Sequence, residues 1–173
     1  MTNLRCTARL LKRFGVEKPP DPSPGTNALG DWYANILFLR EAHLLLCVSE
    51  RGRLPVVASA RGLRDFPGRF PGLVKDVLLA HGVSEGTAAA ECSAMGTLAL
   101  GPTRNRSLVG TLNEFGKLLK WSWDERPERS LLDWSLALAE VPCKPLDWGC
   151  PSDVVPEFLV RRRHLRVIPG GRA

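Results

Sequence analysis

The chain has 173 residues, 44% of them hydrophobic, and 24 Lys and Arg against 18 Asp and Glu give it a net charge of +6, with a pI near 9.4. That length supports one ordinary domain with a sizeable core, and the composition excludes a disordered chain. No apolar run approaches the roughly 20 residues that a membrane helix needs, so no membrane partner is expected.

The first 16 residues carry Arg5, Arg9, Lys12 and Arg13, with no acid before Glu17. Organellar transit peptides share that composition. The structural reading is a short strand from Leu4 to Thr7 feeding an amphipathic helix with Leu10, Leu11 and Phe14 on one face. Residues 17–30 hold four prolines and two glycines, the composition of a surface loop.

Three strands are expected next. Trp32 to Arg40 alternates with largely apolar residues on both faces, as in a strand covered on at least one side and partly on the other. Short turns at Glu41-Ala42 and at Glu50-Arg51-Gly52-Arg53 then join it to His43–Ser49 and to Leu54–Ala60, an antiparallel meander. Residues 62–82 read as mostly helix, regular from about Pro71, with Gly82 at its C-terminal end. A short helix from Ser84 to Cys92 follows, then a strand from Ser93 to Leu100.

Residues 105–121 give the clearest helix, with Leu108, Leu112, Phe115 and Leu119 as its buried stripe. Ser130 opens another helix with Asp133 as a capping-box partner, ending before Pro142. The stretch 142–157 reads as irregular. The whole predicts an α+β single domain over 1–160, an antiparallel sheet with helices packed mainly on one face. A basic tail over 161–173 holds Arg161, Arg162, Arg163, His164 and Arg166.

Arg outnumbers Lys 18 to 6. A GC-rich genome produces that bias, and it also suits forked contacts to phosphate and carboxylate. The five cysteines, Cys6, Cys47, Cys92, Cys143 and Cys150, are odd in number and widely spaced, without a CxxC pair. That pattern fits reduced thiols in a cytoplasmic protein and gives no metal site. No cofactor is indicated. His43, His81 and His164 are scattered, Asp31, Glu114 and Asp133 are isolated, and no catalytic residue stands out. Trp121, Trp123, Trp134 and Trp148 gather late in the chain, as core or lid residues.

The best local candidate for a site is the turn at 103–107. Thr103 or Asn105 caps the helix that follows. Its free N–H groups and the positive end of its dipole favour anions, and Arg104, Arg106 and Ser107 add charge and a hydroxyl. A phosphate or carboxylate fits that description. So does a bland one, in which the arginines pair with neighbouring acids. There is no Walker loop and no GxSxG elbow.

Leu4-Arg5-Cys6-Thr7-Ala8-Arg9-Leu10-Leu11, Trp32-Tyr33-Ala34-Asn35 and Thr103-Arg104-Asn105-Arg106-Ser107-Leu108-Val109-Gly110-Thr111-Leu112-Asn113 together resemble the motifs of a family of small bacterial domains of unknown function. The family pattern has Ile at position 4 and Met at 112, where this chain has Leu. The resemblance spans most of residues 3–158. It implies a shared fold and brings no activity with it. Among the motif residues, Arg5, Asn35, Arg106 and Asn113 either converge on one polar pocket or hold strand to helix. The function expected is a non-enzymatic binding or regulatory module of a bacterial cell or mobile element, with protein or nucleic acid as partner. The alternative is an enzyme acting on a phosphorylated small molecule or nucleotide.

Overall fold

A computed structural model describes residues 1–126 and 128–167, with side chains as far as Arg162. Five strands, β1 (Thr2–Cys6), β2 (Trp32–Phe38), β3 (His43–Ser49), β4 (Pro55–Ser59) and β5 (Leu98–Pro102), form one sheet in the order β4-β3-β2-β1-β5. Six α-helices surround it among the described residues: α1 (Ala8–Phe14), α2 (Phe66–Ala80), α3 (Glu85–Met95), α4 (Arg106–Trp123), α5 (Leu131–Ala139) and α6 (Pro151–Val167).

The α+β class is as the sequence predicts, and β2-β3-β4 is the expected antiparallel meander. The sheet as a whole is mixed, not antiparallel. β1 runs parallel to both neighbours, with Leu4 opposite Trp32 on one side and Leu100 on the other. The cause is connectivity: β1 reaches β2 through α1 and the proline-rich loop, and such long crossovers are what parallel pairing requires.

Alternation along β2 assigns its side chains to two cores. Trp32, Ala34 and Ile36 join Leu45, Cys47, Val56 and Ala58 on one face. That face is covered by α1, α2, α3 and α6 through Leu10, Phe70, Ala88 and Val155, among others. Tyr33 and Leu37 join Leu44, Leu46 and Val57 on the other face, under α4 and α5. Most helices thus lie on one face, and α4 and α5 close the second. Leu112 and Phe115 are almost fully buried there, so truncating either to Ala is expected to cost about 2–5 kcal/mol. At the sheet edge, the Val57 N–H donates to Ser135 Oγ of α5 at 2.8 Å.

Several boundaries differ from the sequence reading. α2 begins at Phe66 and carries Pro71 inside it. α3 continues through Ser93 to Met95, whose side chain is buried, and stops at Gly96 with φ 54. β5 therefore starts later and reaches Pro102. The stretch read as irregular contains the start of α6, which opens on Pro151 and carries Val155 and Leu159 into the core. α6 also runs through the boundary drawn at 160. The side chains of Arg163, His164 and Arg166, and residues 168–173, lie outside the described residues.

The proline-rich loop is pinned across β1 and β5. Glu91 of α3, 4% exposed, accepts hydrogen bonds from Asn27 Nδ2 and from the N–H groups of Ala28 and Leu29. Asn3 Nδ2 donates to Ser23 O and Asp31 Oδ1. A Cβ on Gly101 would meet Pro22 Cδ at 2.9 Å, so the loop rests directly on that glycine.

A candidate anion-binding surface at the start of α4

Asn105 caps α4. Its Oδ1 accepts from the N–H groups of Ser107 at 3.0 Å and Leu108 at 3.2 Å, while Val109 N–H reaches Asn105 O. A cap of this kind contributes about 1 kcal/mol. It also takes two of the donors that an anion would otherwise use. What remains for a ligand is the dipole and the side chains around it.

Those side chains divide into two groups. Arg104, Asn105, Arg106 and Asn113 line one open depression of about 540 Å³, together with Thr103, Val109 and Gly110. Arg106 and Asn113 are both exposed. They stand seven positions apart, two helical turns, which puts them on the same side of α4. Arg104 is shared with the proline-rich loop, where Asp21 pairs with it.

The other three predicted residues do not line the depression. Arg5 is buried on β1 and donates through Nε to Asp31 Oδ2 and through Nη1 to Asp21 Oδ1, both at 2.9 Å. Asn35 accepts from Thr7 Oγ1 at 2.8 Å, tying β2 to the start of α1. Ser107 turns toward the sheet and accepts from Arg53 Nη2 at 3.2 Å. Asp21 bridges Arg5 and Arg104, so the buried and exposed groups are electrostatically continuous.

Sequence reasoning missed Arg53, Asp21, Asp31 and Tyr33. Arg53 sits in the β3–β4 turn with φ 56 and is 8% exposed. Its Nη1 is buried without a hydrogen-bond partner. Burial pulls its pKa down, while Cys143, Glu50 and Tyr33 work in the opposite sense. Burial likewise pushes the Tyr33 hydroxyl up, against the pull of Arg5 and of a backbone hydrogen bond from Asn105. The turn had only its Gly as a signal, and nothing local announces where an arginine in a turn will point.

The thiols are poorly suited to nucleophilic work. Burial pushes Cys6 up to about 12 and Cys92 and Cys143 up to about 11, so the reactive thiolate is scarce at neutral pH. All five cysteines are free. Among the described residues, no three His, Cys, Asp or Glu side chains gather as a metal site requires. No described helix is long and apolar enough to cross a membrane.

This architecture is that of a small α+β domain in which the proline-rich loop reaches the segment ahead of one helix through the Asp21–Arg104 ion pair. The chain belongs to the family described as Domain of unknown function (DUF6933), whose model matches residues 3–154. The match takes in nearly all of β1, continues through α5 and ends in the first turn of α6. Comparison with curated proteins yields no match.

Proposed function

We propose that this chain is a non-enzymatic binding or regulatory module of a bacterial cell or mobile element, accepting an anionic group of its partner at the start of α4. The observation that carries the reading is Arg106. It is exposed, forms no ion pair among the described residues, and stands at the positive end of an 18-residue helix. Asn113 shares its depression with Arg104, whose charge Asp21 already pairs, so a phosphate or carboxylate there meets the Arg106 guanidinium fork and a carboxamide. Because Asn105 satisfies the cap, the grip comes mainly from side chains, which suits a group exposed on a larger partner. The suppressed thiol acidity supports a binding role over covalent catalysis. Five free thiols support a cytoplasmic location.

The test is thermal. Phosphate or sulfate should raise the melting temperature progressively, since a ligand of the native state stabilises by mass action. Arg106→Ala should abolish that response while leaving the unliganded melting point near that of the parent. A parent protein indifferent to both anions, or a response that survives Arg106→Ala, refutes the reading.

A further inference from the structure

We propose that the opposite end of β2 forms a second, separate surface, which binds single-stranded nucleic acid. Phe38 closes β2 and is 38% exposed. The guanidinium groups of Arg9 and Arg13, one turn apart on α1, lie over its ring at 5.7 and 5.3 Å. His43, directly opposite Phe38 on β3, meets the ring edge-on with centroids 4.8 Å apart. Beyond His43 a hollow of about 480 Å³ is lined by Arg40 and Arg61 and walled by Trp123.

Arg9, Arg13, Arg40 and Arg61 are all exposed. None forms an ion pair among the described residues, although Glu41 lies in the same hollow. Like charges gathered without counter-ions repel one another, and a polyanion relieves that repulsion. Stacking on Phe38 also fixes the orientation of the two α1 guanidinium groups while leaving their N–H forks free for phosphate oxygens.

The aromatic groups select the kind of polyanion. Phe38 and His43 lie among the arginines, while Trp123, stacked on Trp134, walls the hollow beyond; rings beside fixed positive charges are the pattern that stacks unpaired bases while the charges follow the backbone. A duplex hides its base faces and would use the charges alone. A membrane surface would call for a continuous protruding apolar rim, whereas the rings here are half-enclosed by polar groups. This surface shares no lining residue with the α4 depression: it draws on α1, β2, β3, the segment after β4 and Trp123 at the far end of α4.

The test uses the full chain and a fluorescent oligo-dU 12-mer, read by anisotropy from 50 to 300 mM NaCl. The unmodified chain should bind the single strand more tightly than a 12-base-pair duplex. The Arg9→Ala/Arg13→Ala variant should weaken binding at least tenfold and lower the log–log salt slope by about 1.4, two phosphate contacts on a single strand. Phe38→Ala should weaken it by about 5- to 150-fold, the range for one lost stacking partner. Lys144→Ala, an exposed charge elsewhere, should change nothing. Circular dichroism and melting confirm that each variant is folded. If Phe38→Ala unfolds the chain, Arg40→Ala/Arg61→Ala takes its place, with the same expected direction. The proposal is overturned by no binding at 50 mM NaCl, by equal affinity for duplex, by insensitivity to the arginine variants, or by loss of binding only when the chain is cut after Val160. Binding of phosphatidylserine vesicles in place of the oligonucleotide, abolished by the same arginine variants, also overturns it.

Discussion

Arg53 Nη2 donates to Ser107 Oγ across 3.2 Å and so ties the β3–β4 turn to the first turn of α4. Nη1 of the same buried guanidinium has no hydrogen-bond partner, so among the described residues Ser107 carries the side-chain hydrogen bonding of this cation.

Ser107→Ala should therefore cost about 1–3 kcal/mol, the penalty of orphaning a buried donor. In an Arg53→Met background the same change should cost close to nothing. Urea unfolding of the parent, the two single variants and the double variant measures the coupling. Equal losses in both backgrounds would show that the two residues act independently.

The two acids that hold Arg5 should differ sharply. Asp31 is 5% exposed and accepts from Arg5, Asn3 and the Gly25 N–H. Asp31→Ala leaves a buried arginine short of its charge partner and is expected to cost about 3–5 kcal/mol. Asp21 is an exposed residue at the loop surface, and Asp21→Ala should cost about 1 kcal/mol or less. Similar losses for both, by denaturant titration, would mean that the loop and not burial sets the energetics.

His81 gives a pH dependence with a defined sign. Burial lowers its pKa from the ordinary 6.5, with Glu140 and Asp153 partly opposing. Its Nε2 is buried without a partner. As pH falls through 6.5 the unfolded chain takes up a proton that the folded chain resists, so stability falls. The effect levels off only below the folded pKa. His81→Gln should flatten the melting temperature between pH 7 and 5 relative to the parent. An unchanged profile would rule out this histidine as the cause.

Thiol access should follow burial. Cys6 and Cys47 are 1% and 0% exposed, and burial pushes both above the ordinary thiol range. Neither should be alkylated in the native protein near pH 8, whereas Cys150, half-buried at the start of α6, should react. Mass spectrometry after unfolding without reductant should count five free thiols. A smaller count would mean that some thiols are paired.

Local features of this molecule were legible in the sequence, and non-local ones were not. The α4 cap, narrowed in the sequence to Thr103 or Asn105 and made by Asn105, the Leu108–Leu112–Phe115–Leu119 stripe and the Ser130–Asp133 capping box all lie within a few residues of their partners, where composition and spacing report geometry directly. Arg53 and Ser107 are 54 positions apart and Arg5 and Asp31 are 26 apart, and no periodicity links such pairs. The parallel placement of β1 was missed for a different reason: extending the antiparallel order of the β2–β4 meander to the whole sheet overlooks that α1 and the loop separate β1 from β2. Of the candidate site, the sequence located the helix start and its two arginines. It did not reveal that Asp21 already pairs with Arg104, or that Asn105 occupies the cap donors.

Truncation should separate the two parts of α6. Val155 and Leu159 are buried, and a Cβ on Gly52 would collide with Val155 Cγ2, so this part of α6 sits directly on the β3–β4 turn. Past Leu159, Arg162 approaches Ala28 O at 3.5 Å, a weak contact. A chain cut after Val160 should melt within a few degrees of the parent, and one cut before Pro151 should lose most of its stability. A large loss from the shorter cut would make the distal half of α6 a structural element.

The Ser135 hydroxyl that accepts from Val57 bears on how this sheet meets other copies of itself. An edge strand normally offers its N–H row as a template for another chain. Here α5 lies along β4 and consumes a donor of that row, so fibre growth or strand exchange on that flank is obstructed. The opposite flank is β5, five residues ending at Pro102, and proline supplies no N–H to a ladder. Polymerisation through this sheet would have to start on the β5 flank, where the last residue brings no N–H.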